Sequence, residues 1–133
     1  MYPATVSECH EYIRDLELLA GIGVNIDKKI AAKQKRSFLR AHLDKYRIKH
    51  PTPVASTLII MMQRQGLITY DQFSNIALSF GFARSFNPKT AQVYALYTRV
   101  AFEKMNIETP LINIVGEGYI LTNAGRQFME QFT

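Results

Sequence analysis

The chain has little that would place it in a membrane or in an oxidising compartment. It has one cysteine, Cys9, which cannot form an internal disulfide and is compatible with a reducing cytoplasm. The longest apolar run, residues 55–62, is broken by Ser56 and Thr57 and is far too short to span a bilayer. The first residues have neither a charged nor an apolar signal region. We therefore expect a cytoplasmic protein with no membrane partner.

Catalytic and metal-binding motifs are also missing. The sequence has no glycine-rich phosphate loop, no H-E-x-x-H and no C-x-x-C. Cys9 and His10 are neighbours that would point about 100° apart on a helix, which makes a poor metal site. The close carboxylate pairs, Glu8–Glu11 and Glu11–Asp15, have the spacing of salt-bridge positions on a helix, and no apolar pocket is evident that would raise a carboxyl pKa for catalysis. We predict a protein that is not an enzyme and needs no cofactor or metal.

What the chain does have is a core-forming composition and a concentrated positive charge. Its 133 residues are 47% hydrophobic, which predicts one compact domain with an arm. The net charge of +5 suits a polyanionic partner. Most of the excess positive charge lies in residues 28–49, where Asp44 is the only carboxylate. The cations there are Lys28, Lys29, Lys33, Lys35, Arg36, Arg40, Lys45, Arg47 and Lys49.

The first 25 residues have the pattern of a capped helix. Thr5 and Glu8 have capping-box spacing, with Ser7 as an alternative N-cap, and Gly21 and Gly23 end the pattern. Apolar residues recur between them at helical intervals. They are Tyr12, Ile13, Leu16, Leu19 and Ala20. This apolar stripe predicts either core packing or the seam of a homodimer.

A second helix is predicted over residues 27–49, with a basic stripe along one side. The stripe is Lys29, Lys33, Arg36, Arg40 and Arg47, and the predicted apolar face is Ala32, Leu39, Leu43 and Tyr46 with Phe38 beside them. Cations spaced four, three, four and seven residues apart stay on one side of a helix. The stripe predicts contact with phosphates, and a solvated face, an acidic protein or RNA are the alternatives.

The sequence from His50 onward predicts a second unit. His50-Pro51-Thr52-Pro53 stops the basic helix, which divides the chain into an N-terminal helical extension, 1–50, and a domain, 51–133. The domain's predicted elements are a helix over 52–66, a short strand at 67–69, a helix from the Thr69/Gln72 capping box to Gly81, a helix over 88–105, a hairpin over 111–121 and a last helix after Thr122.

The late hairpin and the long helix before it suggest the fold. The hairpin turns at Gly116-Glu117-Gly118, where two glycines suit positive φ angles. A bundle of helices closed by one terminal hairpin describes a winged helix, in which helix 88–105 takes the place of the recognition helix. We predict a mainly α fold: a winged helix-turn-helix with a C-terminal β-hairpin wing, preceded by two N-terminal helices.

Residues 55–125 resemble the winged-helix effector domain of OmpR/PhoB-type response regulators. The family's wing pattern, T-V-R-G-x-G-Y-x-L, is similar to N-I-V-G-E-G-Y-I-L at 113–121, and Lys89-Thr90 resembles the Arg-Thr that starts its recognition helix. The exit Y-I-L-T-N-A-G-R, 119–126, is also similar to that of other winged-helix regulators. Residues 1–50 do not resemble a receiver domain. The resemblance implies a DNA-binding fold, although Val115 replaces the wing arginine and Glu117 lies at the tip.

These patterns predict a sequence-specific double-stranded DNA-binding protein, a small transcriptional regulator that acts as a homodimer. Helix 88–105 would enter the major groove and the basic helix would contact phosphates. The predicted DNA contacts are Lys29, Lys33, Arg36, Arg40, Arg47, Arg84, Lys89, Thr90, Tyr94, Tyr97 and Arg99, with a wing formed by Gly116, Glu117, Gly118 and Tyr119. The alternative is an interaction adaptor, which binds a protein partner such as the transcription machinery and does not bind DNA specifically.

Overall fold

The computed structural model describes residues 26–85 and 87–132, and the predicted first helix lies outside them. The described chain is mainly helical with one small antiparallel sheet. Its elements are α1 (Ile26–Asp44), α2 (Pro51–Met61), β1 (Ile68–Thr69), α3 (Tyr70–Ser79), α4 (Pro88–Lys104), β2 (Leu111–Ile114), β3 (Gly118–Leu121) and α5 (Asn123–Glu130).

Helix α2 is the centre of the core. All residues from Val54 to Met61 are buried, and α1 packs on one side of the helix while α4 packs on another. A helix that is apolar all round is stable only when neighbours cover every side. The buried hydroxyl of Thr57 also needs a partner, and it donates a hydrogen bond to the Pro53 carbonyl at 2.8 Å. Ala32 and Leu39 of α1 join the same hydrophobic cluster.

The predicted helix starts are confirmed where capping residues mark them. The Thr69 hydroxyl accepts a hydrogen bond from the Gln72 backbone N–H, and the Gln72 side chain accepts one from the Thr69 N–H, both at 3.1 Å. Thr122 caps α5 with a single bond, which its hydroxyl accepts from the Gly125 N–H at 3.2 Å. Pro88 occupies the first turn of α4, as predicted, behind an Asn87 cap. Each cap satisfies amide groups that a helix start otherwise leaves unpaired.

The predicted hairpin is confirmed, and it belongs to a three-stranded sheet. The strand order is β1–β3–β2. Tyr119 of the central strand β3 lies opposite Ile68 of β1 on one side and opposite Asn113 of β2 on the other. The two glycines of the turn have different roles. Gly116 has a φ of +79°, whereas a Cβ added at Gly118 would lie 2.0 Å from the Ile68 carbonyl oxygen. Gly118 is therefore required by the close approach of β1, and not by a positive φ as the sequence suggested.

Two helices end earlier than predicted. The basic helix stops at Asp44 rather than 49, because Arg47 turns left-handed at φ 57° and the Ile48 N–H bonds back to the Leu43 carbonyl. Buried Ile48 fixes this turn against the core. The helix predicted over 52–66 ends at Met61, so Gly66 lies in the following loop and is not its cap.

The predicted apolar face of α1 is partly wrong. Leu39 and Leu43 are fully buried, as expected, but Phe38 is 74% exposed and Tyr46 is 47% exposed. Phe38 is one residue, or about 100°, away from Leu39 around the helix, so it faces away from α2. Tyr46 lies beyond the end of the helix, where helical spacing no longer applies.

Candidate nucleic-acid interface

The basic stripe of α1 begins over the end of α3. A Cβ at Gly81 would lie 2.8 Å from Lys29 Cε and 3.1 Å from Lys33 Cε, so both lysine stems lie against this residue. Gly81 also has a φ of +71°, which favours glycine on its own account. Long basic side chains often pack their apolar stems on a surface and keep the charge in water. Lys33 is exposed and Lys29 is half-buried, which fits this arrangement.

Arg36 is the most restrained cation of the stripe. Its guanidinium lies 4.4 Å from the centre of the Phe82 ring and donates a hydrogen bond to the Ser56 hydroxyl at 3.4 Å. Burial lowers the pKa of Arg36, and neighbouring Arg40 lowers it further while Tyr94 raises it. The group stays charged at neutral pH because arginine titrates so far above it. Arg36 thus connects α1 to α2 and to the loop before α4, and exposed Arg40 carries the stripe onward.

Arg47 does not belong to the stripe. Its residue lies beyond the end of α1, in the left-handed turn, so the seven-residue interval from Arg40 no longer keeps the two on one side. Its carbonyl accepts a hydrogen bond from Lys104 Nζ at 2.6 Å. This contact joins the end of α1 to the end of α4.

The start of α4 is well supported and carries exposed cations. The Asn87 side chain accepts a hydrogen bond from the Lys89 N–H at 3.0 Å, and the Asn87 carbonyl accepts one from the Ser74 hydroxyl at 3.2 Å. These contacts fix the first turn of α4 on α3. Lys89 and Arg84 are both exposed at this end of the helix.

Of the other predicted contacts on α4, Tyr94, Tyr97 and Arg99 have side chains that are engaged with the protein itself. Tyr94 packs edge-on against Phe73 at 6.3 Å between ring centres, and Tyr97 stacks on His50 at 3.9 Å. Both tyrosines are half-buried, and so is Thr90. Arg99 lies 5.8 Å from the Tyr119 ring and is also half-buried. These four residues form the flanks of α4 rather than its outermost line.

The outermost line of α4 is aliphatic, which sequence reasoning missed. Val93, Leu96 and Val100 are 43%, 56% and 52% exposed, and exposed Gln92 lies beside them. The opposite side of the helix is buried and consists largely of small residues. They are Ala91, Ala95, Thr98 and Ala101, with Phe102. The run of small residues at helical spacing was the sequence signal for this orientation of α4. Small side chains let that side of the helix pack closely against its neighbours, so the larger aliphatic side chains lie on the exposed side.

Part of this aliphatic line borders a groove beside the end of α4. The groove measures about 430 Å³ and is lined by Leu96 and Val100 together with Ile48 and His50. Lys49 and Lys104, which are both exposed, also line it. The surface is therefore apolar inside and basic at the rim.

The hairpin presents few cationic groups. Buried Tyr119 packs edge-on against Tyr70 at 5.5 Å, and the Tyr70 hydroxyl donates a hydrogen bond to the Asn113 side chain at 2.9 Å. Burial raises the pKa of Tyr119, Tyr70 raises it further and Arg99 lowers it. Val115 is 87% exposed at the tip, and Glu117 is exposed beside it. Tyr119 and Gly118 therefore hold the hairpin in place, and the tip is formed by other residues.

No group of three or more His, Cys, Asp or Glu side chains that could hold a metal occurs among residues 26–85 and 87–132. Within the same residues, no helix has the length and apolar character needed to cross a membrane. No family model, curated protein or solved structure matches the chain. The resemblance to response-regulator effector domains therefore stays a prediction.

Proposed function

We propose that the protein is a winged-helix protein that binds double-stranded DNA through α4 and the basic stripe of α1. The arrangement of the elements is the observation that carries this proposal. Helix α2, strand β1, helices α3 and α4 and the β2–β3 hairpin follow in that order, with β1 paired to β3 at one edge of the sheet. This is the order of a winged helix, in which the helix before the hairpin enters the major groove.

Phosphate contact would come from exposed and half-buried cations on α1, on the loop before α4 and in the first turn of α4. Lys29 and Lys33 lie against the end of α3, while Arg84 and Lys89 flank the first turn of α4. Arg40 extends this set along α1. Cations placed on several elements around one helix end can contact the backbone of a duplex on both sides of a groove. Such contacts supply affinity without reading the sequence.

Base contact would come from the exposed side of α4. Gln92 has a side chain that can bond adenine through both N6 and N7, and Val93 can contact a thymine methyl group. Lys89 lies one turn before them and suits guanine or phosphate. This set replaces Tyr94, Tyr97 and Arg99 as the candidate reading residues, because those three side chains are turned toward the protein.

A second candidate function, the interaction adaptor, is favoured by the aliphatic line on α4. Val93, Leu96 and Val100 are large apolar side chains exposed at successive turns, and such a line suits a protein partner. The exposed Val115 and Glu117 at the hairpin tip favour the same candidate, since neither attracts phosphate. The apolar groove with its basic rim would take an amphipathic segment with acidic residues.

The test is a fluorescence-anisotropy titration of the full chain with a random duplex at about 50 and 200 mM salt. The DNA-binding proposal expects saturable binding that weakens steeply at the higher salt. A single-stranded RNA of equal charge serves as the comparison for binding by the basic helix alone. No binding at either salt contradicts the proposal and leaves the adaptor function.

A further inference from the structure

Helix α4 carries one continuous exposed stripe along almost its whole length. Val93, Leu96 and Val100 form its apolar centre, and exposed Lys89 and Glu103 extend it at the two ends. These five positions, which we call the α4 seam, are spaced four, three, four and three residues apart. At about 100° per residue they lie within about 80° of one another. The mean spacing of about 3.5 residues is that of helices which pack along each other in pairs.

The charges at the ends of the α4 seam are the reverse of those that a helix favours. Anions stabilise the N-terminus of a helix and cations stabilise its C-terminus. The first turn of α4 has no acidic residue and contains Lys89, whereas Glu103 lies in its last turn. Both ends of the seam are therefore suited to a partner that brings an anion to Lys89 and a cation to Glu103.

We propose that the α4 seam is a self-association surface, on which α4 of a second copy packs antiparallel. Leu96 is at its centre, seven residues from Lys89 and seven from Glu103. A two-fold axis at Leu96 therefore places Lys89 of each copy level with the partner's Glu103. Val93 then lies within one residue, a rise of about 1.5 Å, of the level of the partner's Val100.

The charge pattern distinguishes a second copy from other occupants. A DNA duplex would attract Lys89 and repel Glu103, and so would an acidic peptide. A second copy in the parallel direction would place like charges level with each other. Of these occupants, the antiparallel copy alone pairs both end charges while it covers the apolar centre. Its contacts are also isologous, as in most homodimers.

The size of the α4 seam determines how strong this dimer should be. From Lys89 to Glu103 the seam extends about 21 Å along the helix. A pair of helices in contact over this length buries less than the roughly 1,600 Å² of a stable interface, so the dimer belongs to the weak, transient class. The net charge of +5 on each chain also opposes association. Monomers and dimers should therefore coexist in solution.

The α4 seam overlaps the side of α4 that we assign to base contact, because Lys89 and Val93 belong to both. A duplex and a second copy would therefore compete for one surface, and the weak dimer should give way to DNA by mass action. This competition rests on the proposed DNA-binding function. The dimer itself does not depend on that function.

Charge exchange at the ends of the α4 seam tests the dimer in the full chain. Self-association is measured by sedimentation equilibrium from about 10 µM to about 1 mM chain, the range suited to a weak interface. The samples are the wild type, Lys89→Glu, Glu103→Lys and the double variant Lys89→Glu/Glu103→Lys. Each single variant places like charges level with each other, and the double variant restores opposite charges and the wild-type net charge.

We expect the association constant to fall about fivefold or more in each single variant and to return to the wild-type value in the double variant. Both substitutions give α4 the end charges that its dipole favours, so neither should unfold the helix, and circular dichroism checks this. A wild type that stays monomeric at the highest concentration would overturn the proposal. So would a double variant that associates no better than the single ones.

A matched pair of variants tests the apolar centre of the seam. Leu96 and Ile112 are 56% and 50% exposed, but Ile112 lies on β2, away from α4. Leu96→Asp should abolish association and Ile112→Asp should leave it unchanged, and equal losses would overturn the assignment of the surface.

A random duplex added to the wild type tests the competition separately. Conversion of dimers to duplex-bound monomers supports it, and a duplex bound without loss of the dimer would overturn it. Failure to bind the duplex, with the charge-exchange result intact, would contradict the DNA-binding function and leave the dimer established.

Discussion

Charge reversal on the basic stripe is the sharpest test of the DNA-binding proposal. We consider the double variant Lys33→Glu/Arg40→Glu, which changes two exposed cations of α1. Five cations are placed for phosphate contact, and Arg36 is left out because it is bonded to Ser56 and packed on Phe82. The five are Lys29, Lys33, Arg40, Arg84 and Lys89.

The expected magnitude follows from the number of contacts. Each phosphate contact contributes about −0.9 to the slope of log K against log salt, so five contacts give about −4.5. A fourfold rise in salt then weakens the wild-type complex about 500-fold. The double variant retains three contacts, so its slope falls to about −2.7 and the same rise weakens binding only about 40-fold. Its affinity at low salt also drops, because two glutamates repel the backbone.

A matched variant separates position from net charge. Lys35→Glu/Lys45→Glu makes the same change in charge away from the stripe, at two residues that line the open groove between α1 and the end of α5. We expect its slope to stay near −4.5 in the same anisotropy titrations. Thermal melts followed by circular dichroism check that both variants fold. Equal slopes for the two variants would show that binding depends on overall charge and would refute the placement of the interface.

Three further predictions concern the fold that presents the interface. Gly118→Ala should destabilise the protein by several kcal/mol in urea unfolding, because its Cβ would lie 2.0 Å from the Ile68 carbonyl oxygen, and Gly116→Ala should cost only about 1–2 kcal/mol for its positive φ. Thr69→Ala should lose about 1 kcal/mol through the capping box, whereas Thr69→Ser should retain most of it. Tyr119 has a raised pKa in the folded protein, so the stability it contributes is present below about pH 10 and is lost as pH rises above that value. Tyr119→Phe should therefore unfold less steeply with rising alkaline pH, and an unchanged pH dependence would contradict the assignment.

The elements predicted best are those whose signals are local. Thr69 and Gln72 mark a helix start through their own side chains, and Pro88 marks another through its fixed φ. Gly116 marks the hairpin turn because its positive φ is a conformation that glycine adopts without strain. Such residues determine their backbone without help from distant parts of the chain, so the sequence is sufficient to place them.

The features that sequence reasoning missed depend on tertiary contacts. The end of α1 at Asp44 is set by the burial of Ile48 and by the bond from Lys104 to the Arg47 carbonyl, and no glycine or proline marks it. The exposure of Phe38 could not be predicted either. Apolar spacing shows that a residue lies on a stripe, but not which of two stripes faces the core.

Helix α1 illustrates this limit and also shows how its functions can be separated. Its core side, its basic stripe and the exposed side that carries Phe38 each recur at helical intervals, so periodicity alone could not assign them. The structure assigns the core side by the burial of Leu39 and Leu43, which leaves two surfaces on one helix. Because those surfaces point in nearly opposite directions, a substitution on one should leave the other unaffected. Arg40 variants should therefore weaken duplex binding while variants of exposed Phe38 leave it unchanged, and an equal loss in both would mean that the two surfaces form a single site.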